Sequence, residues 1–155
     1  MQITHISKAE LTQKLAALTI YKTEYPTPAG PLFVYWTHEL GIHHATYERN
    51  NSQPFAELKE QLSDLRQLVV TGTQFQCRVW QAAARITAST TISYLQLATA
   101  LGSPKAFRAV AQALKNNPIG YFIPCHRIIK SSGDLCGYNG GIEKKRALLE
   151  AEGAI

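Results

Sequence analysis

Cysteine and long apolar runs are both scarce in this sequence of 155 residues. The three cysteines are an odd number without CxxC spacing, so the sequence predicts neither a disulfide framework nor a zinc ribbon. No apolar run approaches the roughly 18 residues of a membrane span, and the first residues lack a basic region followed by an apolar core. We therefore expect a reduced, intracellular (cytoplasmic) protein with no membrane segment.

The sequence also contains five histidines, which are potential metal ligands. Adjacent residues on a strand point to opposite faces, so His43 and His44 would not easily share one ion. We therefore interpret His5, His38, His43 and His44 as surface residues and expect no metal site.

Positive charge is concentrated in the second half of the chain. Residues 1–70 carry six Lys or Arg against seven Asp or Glu, whereas residues 71–155 carry ten against four, which accounts for the net charge of +5. A basic half joined to a nearly neutral half indicates a polyanion partner for the C-terminal part, most often nucleic acid. A surface charge that only aids solubility is the alternative. The change in character predicts two domains, residues 1–70 and 71–155.

The first seventy residues have the patterns of a small α+β unit. Ser7 and Glu10 are spaced as a capping box for a short first helix. A turn over 27–31 precedes a predicted strand over 32–36, and a second strand is predicted over 42–47. Pro54 suits the first turn of a further helix, whose apolar face would be Phe55, Leu58, Leu62 and Leu65.

The second half reads as helices joined by short turns. Capping boxes are predicted at Thr73 with Gln76 and at Ser93 with Gln96. Gly102 is predicted to end the helix that Ser93 caps. Ser103 would cap the next helix, and Pro104 would be its first residue. Two short helices joined in this way are typical of a helix-turn-helix.

The second helix of that pair is predicted to be amphipathic. Its buried face would be Phe107, Val110, Ala111 and Leu114. Its outward face would be Lys105, Arg108, Gln112, Lys115 and Asn116. A helix that lies against DNA needs basic groups for phosphate and small side chains for close approach, and both are present. A plain surface helix with its charges outward is the alternative.

The stretch around Cys125 carries the chemistry. The thiol lies between Pro124 and His126, with Arg127 next, and positive charge on these neighbours favours the thiolate. The apolar residues 119–122 before it disfavour the charged form if they bury it. A cysteine that is only a small core residue is the alternative on spacing alone. Glu152 lies on the inner face of the last predicted helix, so it needs a partner, either Lys145 or His126.

The segments that flank this cysteine resemble the O6-alkylguanine-DNA alkyltransferases, also called methylated-DNA–protein-cysteine methyltransferases. Residues 123–128, Asn117-Pro118 before them and the Gly-rich stretch 133–141 after them carry the resemblance. It extends through residues 73–76, Val79-Trp80, Ser93-Tyr94, Leu97-Ala98, Pro104, Ala106, residues 108–110, Leu148-Leu149 and Glu152-Gly153.

The resemblance implies both a fold and an active site. The fold would be α+β, with a small ribonuclease H-like N-terminal domain and a mostly helical winged-helix or helix-turn-helix domain after it. Cys125 would accept the alkyl group, and His126 would draw its proton through a water. Glu152 would hold the imidazole, and Asn117 would brace the turn that presents the site.

The resemblance also implies how DNA is held. Tyr94 would crowd the phosphate that rotates when the base flips, and Arg108 would replace the extruded guanine in the duplex. Tyr138 and Asn139 would contact the flipped base. Further positions expected to contact DNA are Ser103, Arg127 and Ser131.

Two positions depart from the common pattern of the family, and two cysteines are not expected to react. Ala111 stands where many members have glycine, and Gly120 stands where some have a proline that lines the alkyl pocket. Cys77 and Cys136 are expected to be structural rather than to accept alkyl groups.

The leading hypothesis is an irreversible, single-turnover transfer of an alkyl group from O6 of guanine, and from O4 of thymine, in double-stranded DNA to Cys125. The reaction needs no cofactor, and we expect a monomer. One alternative is an alkyltransferase-like protein that recognises damage without repairing it, but such proteins lack the acceptor cysteine. The other is a helix-turn-helix regulator, which would leave Glu152 and the Gly-rich loop unexplained.

Overall fold

The computed structural model describes residues 1–49 and 67–155 and the strand at 56–57. The elements of its first half, in chain order, are β1 (Gln2–His5), α1 (Lys8–Ala17), β2 (Tyr21–Thr27), β3 (Gly30–Thr37), β4 (Gly41–Thr46), β5 (Ala56–Glu57) and β6 (Gln67–Val70). Those of its second half are α2 (Gln74–Ala84), β7 (Ile92–Ser93), α3 (Tyr94–Ala100), α4 (Phe107–Lys115), β8 (Ile128–Ile129) and α5 (Ile142–Ala151). In the described part of the second half, 3₁₀ turns lie at Pro104–Ala106 and Cys125–Arg127.

Among the described residues of the first half, six strands form one mixed sheet in the order β1-β6-β4-β3-β2-β5. Strands β2, β3 and β4 form an antiparallel meander, whereas β6 runs parallel to both of its neighbours, β1 and β4. The predicted turn over 27–31 closes the β2–β3 hairpin, where Gly30 has a φ of +109° that favours glycine. Strand β3 is buried on both faces from Leu32 to Trp36, as its unbroken apolar run predicts.

The helices of the second half pack on one another and on the sheet. The indole N–H of Trp80 in α2 donates to the carbonyl of Ala113 in α4 at 2.9 Å, which fixes the crossing of these two helices in the core. One buried cluster contains Leu32 and Ile42 from the sheet together with Trp80 and Leu97 from the helices. The predicted α+β class is therefore confirmed, and the two halves share a continuous core.

Both capping boxes predicted in the second half are confirmed. Thr73 accepts from the backbone N–H of Gln76 at 3.1 Å, and the Gln76 side chain accepts in return from the Thr73 N–H at 3.0 Å. Ser93 and Gln96 make the same reciprocal pair. The cap predicted at Ser103 is wrong, because its side chain makes no capping bond and its backbone carbonyl accepts from the Ala106 N–H instead.

The strands predicted at 32–36 and 42–47 correspond to β3 and β4, and the Ser7 side chain caps α1 as predicted. The helix predicted to begin at Pro54 is wrong at its start, because Ala56–Glu57 is a strand that pairs with β2. The apolar positions predicted for that helix lie outside the described residues, namely Phe55, Leu58, Leu62 and Leu65. Strands β1, β2 and β6 were not predicted, because they are short or rich in polar residues.

Two side chains, those of His43 and Phe107, differ from their predicted exposure. His43 is buried rather than on the surface, and burial lowers its pKa to about 4. Phe107, predicted on the buried face of α4, is 43% exposed, and Ile142 at the start of α5 is 48% exposed. Each of these two is the first residue of its helix, and a helical side chain covers the turn before it, where these helices have not yet begun. Within the described ranges, no helix combines the length and the apolarity needed to cross a membrane.

Candidate active site

Asn117 organises the turn that follows α4. Its side-chain amide donates to the carbonyl of Ile123 at 2.9 Å and to Sγ of Cys125 at 3.3 Å. Its Oδ1 accepts from the N–H of Ile119 at 3.0 Å. Asn117 is 6% exposed, so these bonds form in the interior, where a lost partner is costly. One amide therefore ties both ends of the turn to the thiol.

The sheet holds this turn in place. The N–H of Ala45 in β4 donates to the carbonyl of Pro118 at 3.1 Å, and Ala45 pairs with Ile119 as an isolated parallel bridge. Because β4 is an inner strand, the turn is fixed to the interior of the sheet rather than to its edge. The first half of the chain thus contributes to the position of Cys125, which the sequence alone did not predict.

Cys125 opens the 3₁₀ turn Cys125–Arg127 and is 8% exposed. Burial raises the pKa of its thiol, and the hydrogen bond from Asn117 and the positive charge of Lys145 only partly oppose that rise. In the resting protein the sulfur therefore carries its proton at neutral pH. A nucleophilic role requires a nearby base that removes this proton during the reaction.

His126 and Glu152 form a hydrogen-bonded pair beside that thiol. His126 is fully buried, and its Nε2 lies 2.9 Å from Oε1 of Glu152. Burial lowers the pKa of the imidazole despite the nearby carboxylate, so His126 is neutral at rest. Burial alone would raise the pKa of Glu152, but hydrogen bonds from Arg127 and His126 outweigh it and hold the pKa below its usual value.

These pKa shifts fix the tautomer of His126. An ionised carboxylate only accepts hydrogen bonds, so Nε2 must carry the proton that faces Glu152. In a neutral ring Nδ1 is then the free base. Nδ1 is buried and has no hydrogen-bond partner among the described residues. The arrangement therefore provides a sheltered proton acceptor on the residue next to Cys125.

Arg127 completes this network from the other side. Its Nη2 lies 2.7 Å from Oε1 of Glu152, its Nε lies 3.0 Å from Oε2, and a further N–H donates to the carbonyl of Ile86. Glu152 ends α5, so this bidentate contact also anchors the last helix to the active-site turn.

Lys145 is a functional candidate that sequence reasoning assigned only as a possible partner of Glu152. It is fully buried, and its ammonium group donates to the carbonyls of Ile128 and Cys136, the latter at 3.0 Å. Burial lowers its pKa, while the nearby Cys125 acts in the opposite direction. A lysine on the apolar side of α5, near Leu149 in helical angle, was the available signal.

A groove of about 800 Å³ opens between α3, α4 and the Gly-rich loop. We call it the basic groove, and it is lined by Tyr94, Leu95, Phe107, Arg108, Ala111, Gln112, Lys115, Lys130, Ser131, Cys136, Gly137, Tyr138 and Asn139. Three of these side chains are cationic, and no described acidic residue lines the groove. The positive charge of this groove favours a polyanionic ligand.

Cys125 itself faces a smaller cavity of about 220 Å³, which also includes Asn117 and Gly120 in its wall. Tyr138 and Asn139 line both this cavity and the basic groove, so they form the boundary between them. A Cβ added at Gly120 would meet only the carbonyl of Ala45, at 3.7 Å, so glycine leaves this wall open without being required there.

The structure brings most of the predicted site residues into two adjoining groups. In the first group, Asn117 bonds to the thiol of Cys125, and the adjacent His126 pairs with Glu152. The predicted DNA-contacting residues that line the basic groove are Tyr94, Arg108, Ser131, Tyr138 and Asn139. The other two predicted DNA contacts lie apart, because Arg127 is held by Glu152 and Ser103 lines a separate shallow depression. No cluster of potential metal ligands occurs among the described residues.

Comparisons with known proteins agree with this geometry. Residues 74–154 match the family model described as 6-O-methylguanine DNA methyltransferase, DNA binding domain. A methylated-DNA–protein-cysteine methyltransferase of Mycobacterium tuberculosis is 43% identical over 122 residues, which cover 79% of this chain and 72% of that protein. The protein of the same name from Salmonella typhimurium is 34% identical, with 89% and 98% covered. The crystal structure of Mycobacterium tuberculosis OGT in complex with DNA superposes with a TM-score of 0.74 at 34% identity, with 88% and 94% covered.

Proposed function

This chain belongs to the 6-O-methylguanine DNA methyltransferase family, and from that premise we infer that it repairs DNA by moving an alkyl group from O6 of guanine onto its own Cys125. Double-stranded DNA that contains O6-alkylguanine is its partner. One observation carries the assignment of the acceptor: a buried thiol, hydrogen-bonded to Asn117 and next to the His126–Glu152 pair, faces a cavity that shares Tyr138 and Asn139 with the basic groove.

The target atom lies inside the base stack, so the damaged nucleotide must leave the duplex before it can react. Extrusion costs a few kcal/mol. Tyr94 and Arg108 line the basic groove. Tyr94 would crowd the phosphate of the damaged nucleotide and Arg108 would fill the position that its base leaves, and both effects would offset this cost. The extruded guanine would lie against Tyr138 and Asn139, with its O6 substituent directed towards Cys125.

The transfer is a displacement at the alkyl carbon. Nδ1 of His126 takes the thiol proton through a water, and the imidazolium is stabilised by Glu152 through Nε2. The sulfur forms a bond to the alkyl carbon while the bond from that carbon to O6 breaks, and its electron pair stays on the guanine. A proton then returns to the guanine, so charge and atoms balance. Asn117 and Lys145 stabilise the developing thiolate by a hydrogen bond and by charge.

A thioether has no route back to a thiol in this site, so each molecule reacts once. The same geometry would accept O4-alkylthymine, which presents an alkylated oxygen at the edge of a flipped base. Because the substrate is DNA and all three cysteines are free, we place the protein in the reducing cytoplasm. The division into domains at residues 70 and 71 stays a prediction, and so do a monomeric state and a reaction without a cofactor.

Cys125→Ser tests the acceptor. Wild-type protein and the variant are incubated with duplex DNA that carries a radiolabelled methyl group on O6 of one guanine, and the label bound to protein is counted. The serine variant should take up none, because its hydroxyl has a far higher pKa than a thiol, yet it should still bind the duplex. Cys77→Ser, which alters a buried cysteine outside both cavities, is the matched control and should retain full uptake. Label on the Cys125→Ser protein would refute the assignment.

A further inference from the structure

The basic groove has an apolar rim that the transfer described above does not use. Phe107 is 43% exposed and Leu95 is 47% exposed, and both line the groove. Phe107 opens α4 and Leu95 lies in the first turn of α3, so the two helices present them at the same opening. Single exposed apolar residues are common on protein surfaces, but two that line the same groove add apolar surface to a binding site.

Phe107 is also coupled to its neighbour Arg108. The guanidinium of Arg108 lies 5.8 Å from the centroid of the Phe107 ring, within the range of a cation–π contact. The flat ring and the flat cation therefore project from the same end of α4. Ala111, one turn further along the helix and on the same groove wall, adds little bulk there.

The charges around this rim indicate what would cover it. Arg108, Lys115 and Lys130 line the groove, and no described acidic side chain does. A ligand that satisfies both the cations and an exposed aromatic ring must combine phosphates with flat apolar faces. Nucleic acid with an unstacked base has this combination, since every base offers a face on which an aromatic side chain can stack.

We propose that Phe107 is a second wedge, whose ring enters the duplex beside Arg108 and stacks on a base next to the gap left by the extruded nucleotide. Leu95 completes the apolar contact on the other side of the opening. Apolar side chains inserted between base steps recur in proteins that kink DNA through the minor groove. The ring replaces stacking that the duplex loses, so it favours the extruded state. This inference rests on the proposed function, because it concerns the same DNA-bound state.

The test compares a substrate that must be extruded with one that need not be. Alkylation rates of Cys125 are measured with duplex DNA containing O6-methylguanine and with free O6-benzylguanine, for wild type and Phe107→Ala. The wedge predicts a loss of about tenfold on the duplex, within the range of one base–aromatic stack, and no change with the free base. Ile142→Ala removes an equally exposed side chain, 48%, outside both cavities and should leave both rates unchanged.

An unchanged duplex rate, or equal losses on both substrates, would overturn the wedge while leaving the proposed function intact. Wild-type protein that reacts with neither substrate would overturn the proposed function, and the wedge with it. Phe107→Trp should restore the duplex rate, because an indole stacks at least as well as a phenyl ring.

A second comparison separates direct insertion from a role in holding Arg108. Phe107→Ala is introduced into an Arg108→Ala background, and the duplex rate is measured again. Direct contact with DNA predicts a further severalfold loss. No further loss would mean that the ring acts only by positioning the arginine, and the wedge would be wrong.

Discussion

Asn117→Ala should lower both the stability of the protein and the reactivity of Cys125, because the Asn117 amide bonds to the active-site turn and to the thiol. The substitution leaves the buried N–H of Ile119 without its partner, and the carbonyl of Ile123 keeps only the N–H of Cys125 at 2.8 Å. An orphaned buried donor costs about 1–3 kcal/mol and a second lost bond about 1 kcal/mol, so we expect a loss of about 3 kcal/mol in the free energy of unfolding. The thiol also loses the hydrogen bond that opposes the rise of its pKa.

The assay has two readouts and a neighbouring control. Urea unfolding gives the stability, and the rate of reaction with free O6-benzylguanine from pH 6 to pH 9 gives the behaviour of the thiol. The rate should fall at every pH where the thiol is protonated, because a thiol with a higher pKa gives its proton to His126 less readily. Asn116→Ala alters an exposed residue and should stay within about 0.5 kcal/mol of wild type. Equal stability of the two variants, or an unchanged rate for Asn117→Ala, would refute this role of the Asn117 amide.

Three further predictions follow from the charged groups. The depressed pKa of Glu152 means that its stabilisation is complete above the unfolded carboxyl value of about 4.3 and is lost as pH falls through the lower folded value. Glu152→Gln should thus cost about 2 kcal/mol at pH 7 in urea unfolding and much less near pH 3, and a pH-independent cost would contradict this. Arg108→Ala should slow duplex repair about 30-fold, roughly 2 kcal/mol of the extrusion cost, and leave the reaction with free O6-benzylguanine unchanged. Arg146→Ala, at an exposed residue, is the control, and equal losses on both substrates would show that Arg108 does not replace the extruded guanine. Duplex affinity should fall with salt with a log–log slope of about −3 for the three groove cations, and a flat response would exclude phosphate contact.

The local sequence was enough to find much of the site. Glu152 lies between Leu148 and Leu149 in helical angle, so an inward carboxylate with a partner followed from periodicity, and the structure places it on His126. A residue that precedes a proline is disfavoured in a helix, which agrees with the end of α4 at Lys115, before Asn117 and Pro118. These features depend on neighbours within a few residues or on one helical turn.

What could not be predicted depends on contacts between distant segments. The bond from Ala45 to Pro118 joins a strand to a turn more than seventy residues away, and no local pattern encodes it. Lys145 is buried because the carbonyls of Ile128 and Cys136 happen to converge on α5. Phe107 fits the buried face by angle, but α4 begins at that residue, so its ring faces the groove instead.

The thiol shows most clearly where charge and burial compete. The adjacent His126 and Arg127 suggested a thiolate, but Glu152 engages both side chains, and burial raises the pKa of Cys125. A resting thiol that is activated only through its neighbour is protected from stray electrophiles and oxidants. The same burial restricts access to substituents that pass Tyr138 and Asn139.

Peptide mass spectrometry after incubation with duplex DNA containing O6-methylguanine tests the central claim most directly. One peptide, the one containing Cys125, should become heavier by a single CH₂ unit, while the peptides containing Cys77 and Cys136 keep their mass. A methyl group found on Cys136 or Cys77 instead, or DNA that loses its methyl group with no mass gained by the protein, would contradict the account.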